Sequence, residues 1–97
     1  MLTTKADILR QLVAIRFPPA HSYTIAQAVF GVRAALHRTQ RELATDLDIS
    51  PGTIRNLEAG TMAISTHTAA AFFRLCSRRG LSQFTALFSR YSRRRMA

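Results

Sequence analysis

Arg55 and Asn56 carry side chains with a well-defined chemistry. A guanidinium is a rigid fork of N–H donors that fits the O6 and N7 edge of guanine. A carboxamide sets a donor beside an acceptor and fits N6 and N7 of adenine. Each such two-pronged contact is worth ~1–3 kcal/mol of discrimination between bases. Both residues lie in the run PGTIRNLEA, residues 51–59. If that run is helical, Ile54 and Leu57 at i and i+3 define its inward side. The outward side then holds Pro51, Gly52, Arg55 and Asn56, with Thr53 at the edge. A plain solvated helix face is the bland alternative for the same residues.

Other chemistry finds no support. His21, His37 and His67 are scattered, with no paired acid or cysteine at metal-ligand spacing. There is no H-E-x-x-H, no phosphate-binding glycine loop and no G-x-S-x-G. Five acidic residues leave little for carboxylate catalysis. No enzyme activity, metal or cofactor is expected. The single cysteine, Cys76, cannot close an internal disulfide, which fits a reducing cytoplasm, and its helical spacing from Phe72 and Phe73 reads as a core thiol.

The formal net charge is +9, unevenly placed. No acidic residue follows Glu58, while Arg74, Arg78, Arg79, Arg90, Arg93, Arg94 and Arg95 do. A basic half implies a polyanionic partner: nucleic acid first, an anionic membrane surface second. No apolar run is long enough to span a bilayer, and the N-terminal MLTTKADILRQ lacks a signal-peptide layout. At 97 residues the chain is expected to form one domain.

The elements that must position Arg55 and Asn56 lie in TQRELATDLDISPGTIRNLEAG, residues 39–60. It divides into two short helices and a turn. Leu43 and Leu47 share one face of the first; Ile49 lies in the turn and plugs the angle; Ala44 is small where the helices approach. Thr39 and Glu42 make a capping box, Ser50 is an N-cap, Pro51 a first helical residue and Gly60 a left-handed C-cap.

This stretch resembles the helix-turn-helix of the Cro/C1 (Xre-type) repressor family, through T-Q-x-E-L-A, the five apolar positions and L-E-x-G. The resemblance implies an all-α, lambda-repressor-like five-helix DNA-binding domain, here with an extra N-terminal helix. It implies that the helix from Pro51 enters the major groove of double-stranded DNA, that Gln40 faces a phosphate, and that Asn56 reads a base. Arg55 reads a base or holds a phosphate. Pro51 and Gly52 stand where many members place long polar readers, so thymine-methyl contact and DNA shape gain weight there. Arg33 is expected to pair with Glu58, tying the first helix of the domain to the end of the recognition helix. One departure is Asp48, where the family usually has glycine; Asp tolerates a left-handed backbone better than most residues.

Around this core the chain divides into 1–19, 20–91 and a basic tail, 92–97. Residues 4–17 read as an amphipathic helix stopped by Pro18 and Pro19, packing on the core or building a dimer interface. Residues 24–38 read as the first helix of the domain, with Thr24 and Gln27 as a capping box, Ile25, Val29, Val32 and Leu36 inward, and Gly31 a weak point. Residues 66–79 form the next helix, with Ala70, Phe73 and Cys76 or Leu75 inward and Gly80 as its stop. Leu81 and Ser82 read as staple and cap for a last helix whose stripe, Phe84, Leu87, Phe88 and Tyr91, closes the core or supplies a dimer surface. The expected function is a homodimeric, sequence-specific transcriptional regulator, most simply a repressor at a palindromic operator. The alternative is the antitoxin of a toxin–antitoxin pair, with a toxin as protein partner.

Overall fold

The structure, a computed structural model, describes residues 23–93. The helix expected over 4–17, its Pro18–Pro19 stop and the tail residues 94–97 lie outside the described residues. Five helices, α1 (Ile25–Ala35), α2 (Gln40–Leu47), α3 (Pro51–Ala59), α4 (Thr66–Arg79) and α5 (Ser82–Ser92), and no strand make up the described part.

Four of these helices start on a side-chain oxygen that accepts an N–H with no intrahelical partner. Thr24 and Gln27 cap α1 reciprocally, at 3.1 and 3.0 Å. Thr39 and Glu42 do the same for α2, at 3.1 and 2.9 Å. Ser50 Oγ accepts from Thr53 N–H and Ser65 Oγ from Thr68 N–H, each at 3.1 Å. The start of α5 differs from the sequence reading. Leu81 occupies the cap position without a side-chain cap bond, and Ser82 is the first helical residue. Thr85 Oγ1 instead donates to the Leu81 and Ser82 carbonyls.

The ends follow backbone chirality. Gly60 and Gly80 take φ of 75° and 70°. Asp48 takes φ 59°, ψ 47°, so the left-handed turn between α2 and α3 is kept without glycine. The first helix of the domain stops at Ala35 rather than running to residue 38. Its chain reverses through His37 at φ 54°, and Arg38 N–H donates to the Arg33 carbonyl at 3.0 Å.

One core joins all five helices, centred on Val29, Val32, Leu43, Ile54, Leu57, Phe72 and Phe88, each fully buried. Leu36 and Ile49 are half-buried against it. Phe72 and Phe88 stack at 4.7 Å, fastening α4 to α5. On α4 the inward face is Ala69, Phe72, Leu75 and Cys76; Ala70 and Phe73, expected inward, sit only half-buried at its margin. On α5, Phe84, Leu87 and Phe88 are buried and Tyr91 packs against them, so this stripe closes the core.

Gly31 is a packing site rather than a weak point. A Cβ there would stand 2.5 Å from Phe84 Cζ. The Phe84 ring is buried and stacked on Tyr23 at 5.2 Å, so shifting it to admit a Cβ would disturb that packing.

Candidate nucleic-acid interface

Three interactions fix α3. Its apolar side, Ile54 and Leu57, is fully buried against α1 and α2. Its C-terminal end is bound to α1 by a two-pronged ion pair. Arg33 Nε donates to Glu58 Oε2 at 2.7 Å and Arg33 Nη2 to Glu58 Oε1 at 3.0 Å. The hydrogen bond to Glu58, opposed by partial desolvation, holds the Arg33 guanidinium above its ordinary pKa. Arg33 Nη1 also reaches the Arg38 carbonyl at 3.3 Å, and its guanidinium lies over the Phe30 ring at 5.4 Å. Beyond Ala59 the chain turns back, and Thr61 donates through both N–H and Oγ1 to the Asn56 carbonyl.

Gln40 stands at the start of α2 with its side chain turned toward the ion pair: its Nε2 donates to Glu58 Oε1 at 3.2 Å. The Glu58 carboxylate thus takes donors from α1 and from α2. One amide N–H of Gln40 serves this join between helices, which leaves its second for any phosphate.

Sequence reading missed a second charge cluster. Arg38, in the α1–α2 turn, donates to both carboxylate oxygens of Asp46, at 2.8 and 2.9 Å, and lies 3.9 Å from Glu42. The Asp46 bond holds Arg38 above its ordinary pKa. The Thr39 backbone N–H, with Arg38 second, holds Glu42 below its own. The i, i+4 spacing of Arg38 and Glu42 was the sequence signal, and it did not point to Asp46. Three of the four carboxylates among the described residues are therefore matched by arginine, and Asp48, exposed in the turn, has no ion-pair partner.

The outward side of α3 is set by the same anchors. Pro51, Arg55 and Asn56 are exposed; Gly52 and Thr53 are half-buried. Arg55 folds back along the first turn, its Nη2 3.4 Å from where a Cβ on Gly52 would stand. The Thr53 hydroxyl is tied to Ser50 Oγ at 2.9 Å, so it belongs to the cap as much as to the outward face. The result is an anchored helix presenting one cation and one carboxamide, and its own carboxylate, Glu58, is matched by Arg33. Among the described residues, no cluster of three or more His, Cys, Asp or Glu side chains is assembled that could hold a metal, and no helix is long and apolar enough to cross a membrane.

A family model described as helix-turn-helix matches residues 32–78, from the second half of α1 to the last turn of α4. Residues 32–78 belong to the Cro/C1-type helix-turn-helix family. No curated protein and no solved structure matches the chain. The helix-turn-helix is a DNA-binding module of non-enzymatic type, and within it α2 and α3 are the two helices that give the motif its name. The Arg33–Glu58 pair joins the first and third helices of this domain, and the left-handed Asp48 makes its turn.

Proposed function

We propose that this chain is a sequence-specific DNA-binding transcriptional regulator that acts as a homodimeric repressor at a palindromic operator. The observation that carries the proposal is the exposed pair Arg55 and Asn56 on a helix whose opposite side is locked into the domain. In this reading α3 lies in the major groove, which is wide enough for a helix. Asn56 takes an adenine edge. Arg55 takes a guanine or an adjacent phosphate. Gly52 leaves the space that the Arg55 head occupies and brings backbone close to the duplex. Pro51 offers its ring to a thymine methyl. Gln40, at the positive end of α2, meets a phosphate with its remaining amide N–H.

Two such helices must fall about one helical turn apart, 34–36 Å, which requires a dimer. Met62 is the large apolar side chain left exposed among the described residues, and the aromatic stripe of α5 is consumed by the core. Among the described residues, α5 therefore offers little apolar surface for a dimer contact. Binding at an operator places the protein on the nucleoid in the cytoplasm.

The test is substitution on α3. Asn56→Ala relaxes preference at one base pair per half-site, at a loss of ~1–3 kcal/mol on the preferred duplex. Arg55→Ala either relaxes a second position, which makes it a base reader, or weakens all duplexes equally, which makes it a phosphate contact. Unchanged affinity and preference in both variants would remove α3 from the interface.

A further inference from the structure

The hairpin of α4 and α5 carries Arg74, Arg78, Arg79, Arg90 and Arg93, all exposed. None has an acidic partner among the described residues, whereas Arg33 and Arg38 are both matched by carboxylates. Helix dipoles account for part of this. Arg78 and Arg79 stand in the last turn of α4 and Arg90 in the last turn of α5, where a cation offsets the negative end of the helix. The same effect favours carboxylates in the first turns, and neither helix has one there. The charge is therefore one-sided, and it is made of arginine, whose fork matches phosphate oxygens in pairs.

Within the hairpin, α5 packs chiefly on α4 and less on α1, while α4 also packs on α2, so Arg90 and Arg93 lie on the helix with the least contact to the helix-turn-helix. The two-residue connection and the Phe72–Phe88 stack make the hairpin antiparallel, which sends the two basic ends in opposite directions. They stand about one α5 length apart, ~16 Å at 1.5 Å per residue, on the scale of a DNA groove and its flanking phosphates.

We propose that the α4–α5 hairpin is a second, sequence-independent duplex-binding surface, which holds the phosphate backbone of a DNA segment other than the one α3 reads. The protein then bridges two duplex segments. This surface does not depend on base reading by α3.

The test uses the full chain and two random-sequence 30-base-pair duplexes, one immobilised and one fluorescent. The wild-type protein captures the fluorescent duplex on the immobilised one. With five phosphates neutralised, capture falls about 500-fold between 50 and 200 mM salt, from a slope of about −0.9 per phosphate. Substituting all five arginines with glutamine abolishes capture, and substituting all five with lysine retains it. Asn56→Ala also retains it, so failure of base reading and failure of bridging give different results. Circular dichroism confirms that the glutamine variant is folded; Arg74, Arg90 and Arg93 changed alone serve as a milder set. Undiminished capture by the folded glutamine variant overturns the proposal. So does arginine-dependent binding to phosphatidylserine vesicles with no duplex capture, which would make the partner a lipid surface.

Discussion

Removing Arg33 tests the device that sets the angle of α3. The Arg33 side chain is 22% exposed and that of Glu58 12%, with two hydrogen bonds of 2.7 and 3.0 Å between them. Exposed pairs contribute about 0–1 kcal/mol, and breaking a fully buried one costs about 3–5 kcal/mol because a charge is stranded. This pair lies between those limits. Arg33→Ala leaves Glu58 with Gln40 as its remaining donor, so the loss is about 2 kcal/mol. For a domain of this size each kcal/mol shifts Tm by about 4–8 °C, which gives a fall of roughly 8–16 °C. Glu58→Ala costs less, since Arg33 keeps the Arg38 carbonyl and the Phe30 ring. The double variant loses less than the two singles together, by about 1–2 kcal/mol. Urea and thermal unfolding followed by circular dichroism measure all three. Strictly additive losses, or single losses below about 0.5 kcal/mol, would show that the pair does not hold α3 to α1.

Gly31→Ala destabilises by ~1–3 kcal/mol despite alanine's better helix propensity, because its Cβ meets the Phe84 ring at 2.5 Å; adding Phe84→Leu recovers part of the loss in the same unfolding assay. The depressed pKa of Glu42 gives a signed pH effect. Its stabilisation is complete above the unfolded value, near pH ~4.3, and is lost as pH falls through the lower folded value. A Glu42→Gln variant therefore shows a shallower drop in Tm between pH 5 and pH 3 than the wild type. Burial pushes the Cys76 thiol up to about 12, so at pH 8 the native protein reacts with a thiol reagent only as fast as it opens, and the rate rises with urea in step with unfolding.

Local chemistry was readable in the sequence wherever it is written within one turn of chain. The Thr24–Gln27 and Thr39–Glu42 boxes, the Ser50 cap before Pro51, and the glycine stop at Gly80 all stand where their spacing places them. Asp48 shows why the turn was legible without glycine: a short polar side chain tolerates the left-handed backbone. Contacts between distant segments were not legible. The run Ala69-Ala70-Ala71-Phe72-Phe73 is apolar throughout, so it gives no phase, and tertiary packing turned Phe72 rather than Phe73 fully inward. Gly31 reads as a weakness until Phe84 is seen lying on it. His37 takes a left-handed conformation with no glycine or asparagine to announce it, which shortens α1. Arg38 and Asp46 meet across that same turn, so the pairing could be drawn only once the turn was known.

At the interface, residue types were legible and their arrangement only in part. Arg55 and Asn56 are exposed on α3 as the positions of Ile54 and Leu57 require. The Gln40 amide reaches Glu58, a contact between helices that its position in the sequence did not indicate. The central proposal is that the outward side of α3 reads a DNA sequence. Selection from a random duplex library at near-physiological salt, followed by titration of the winner against a scrambled duplex, tests it directly. A palindrome preferred by about 10³-fold or more is the expected result. Equal binding to both duplexes, lost together as salt rises, would contradict it and leave charge alone as the basis of binding.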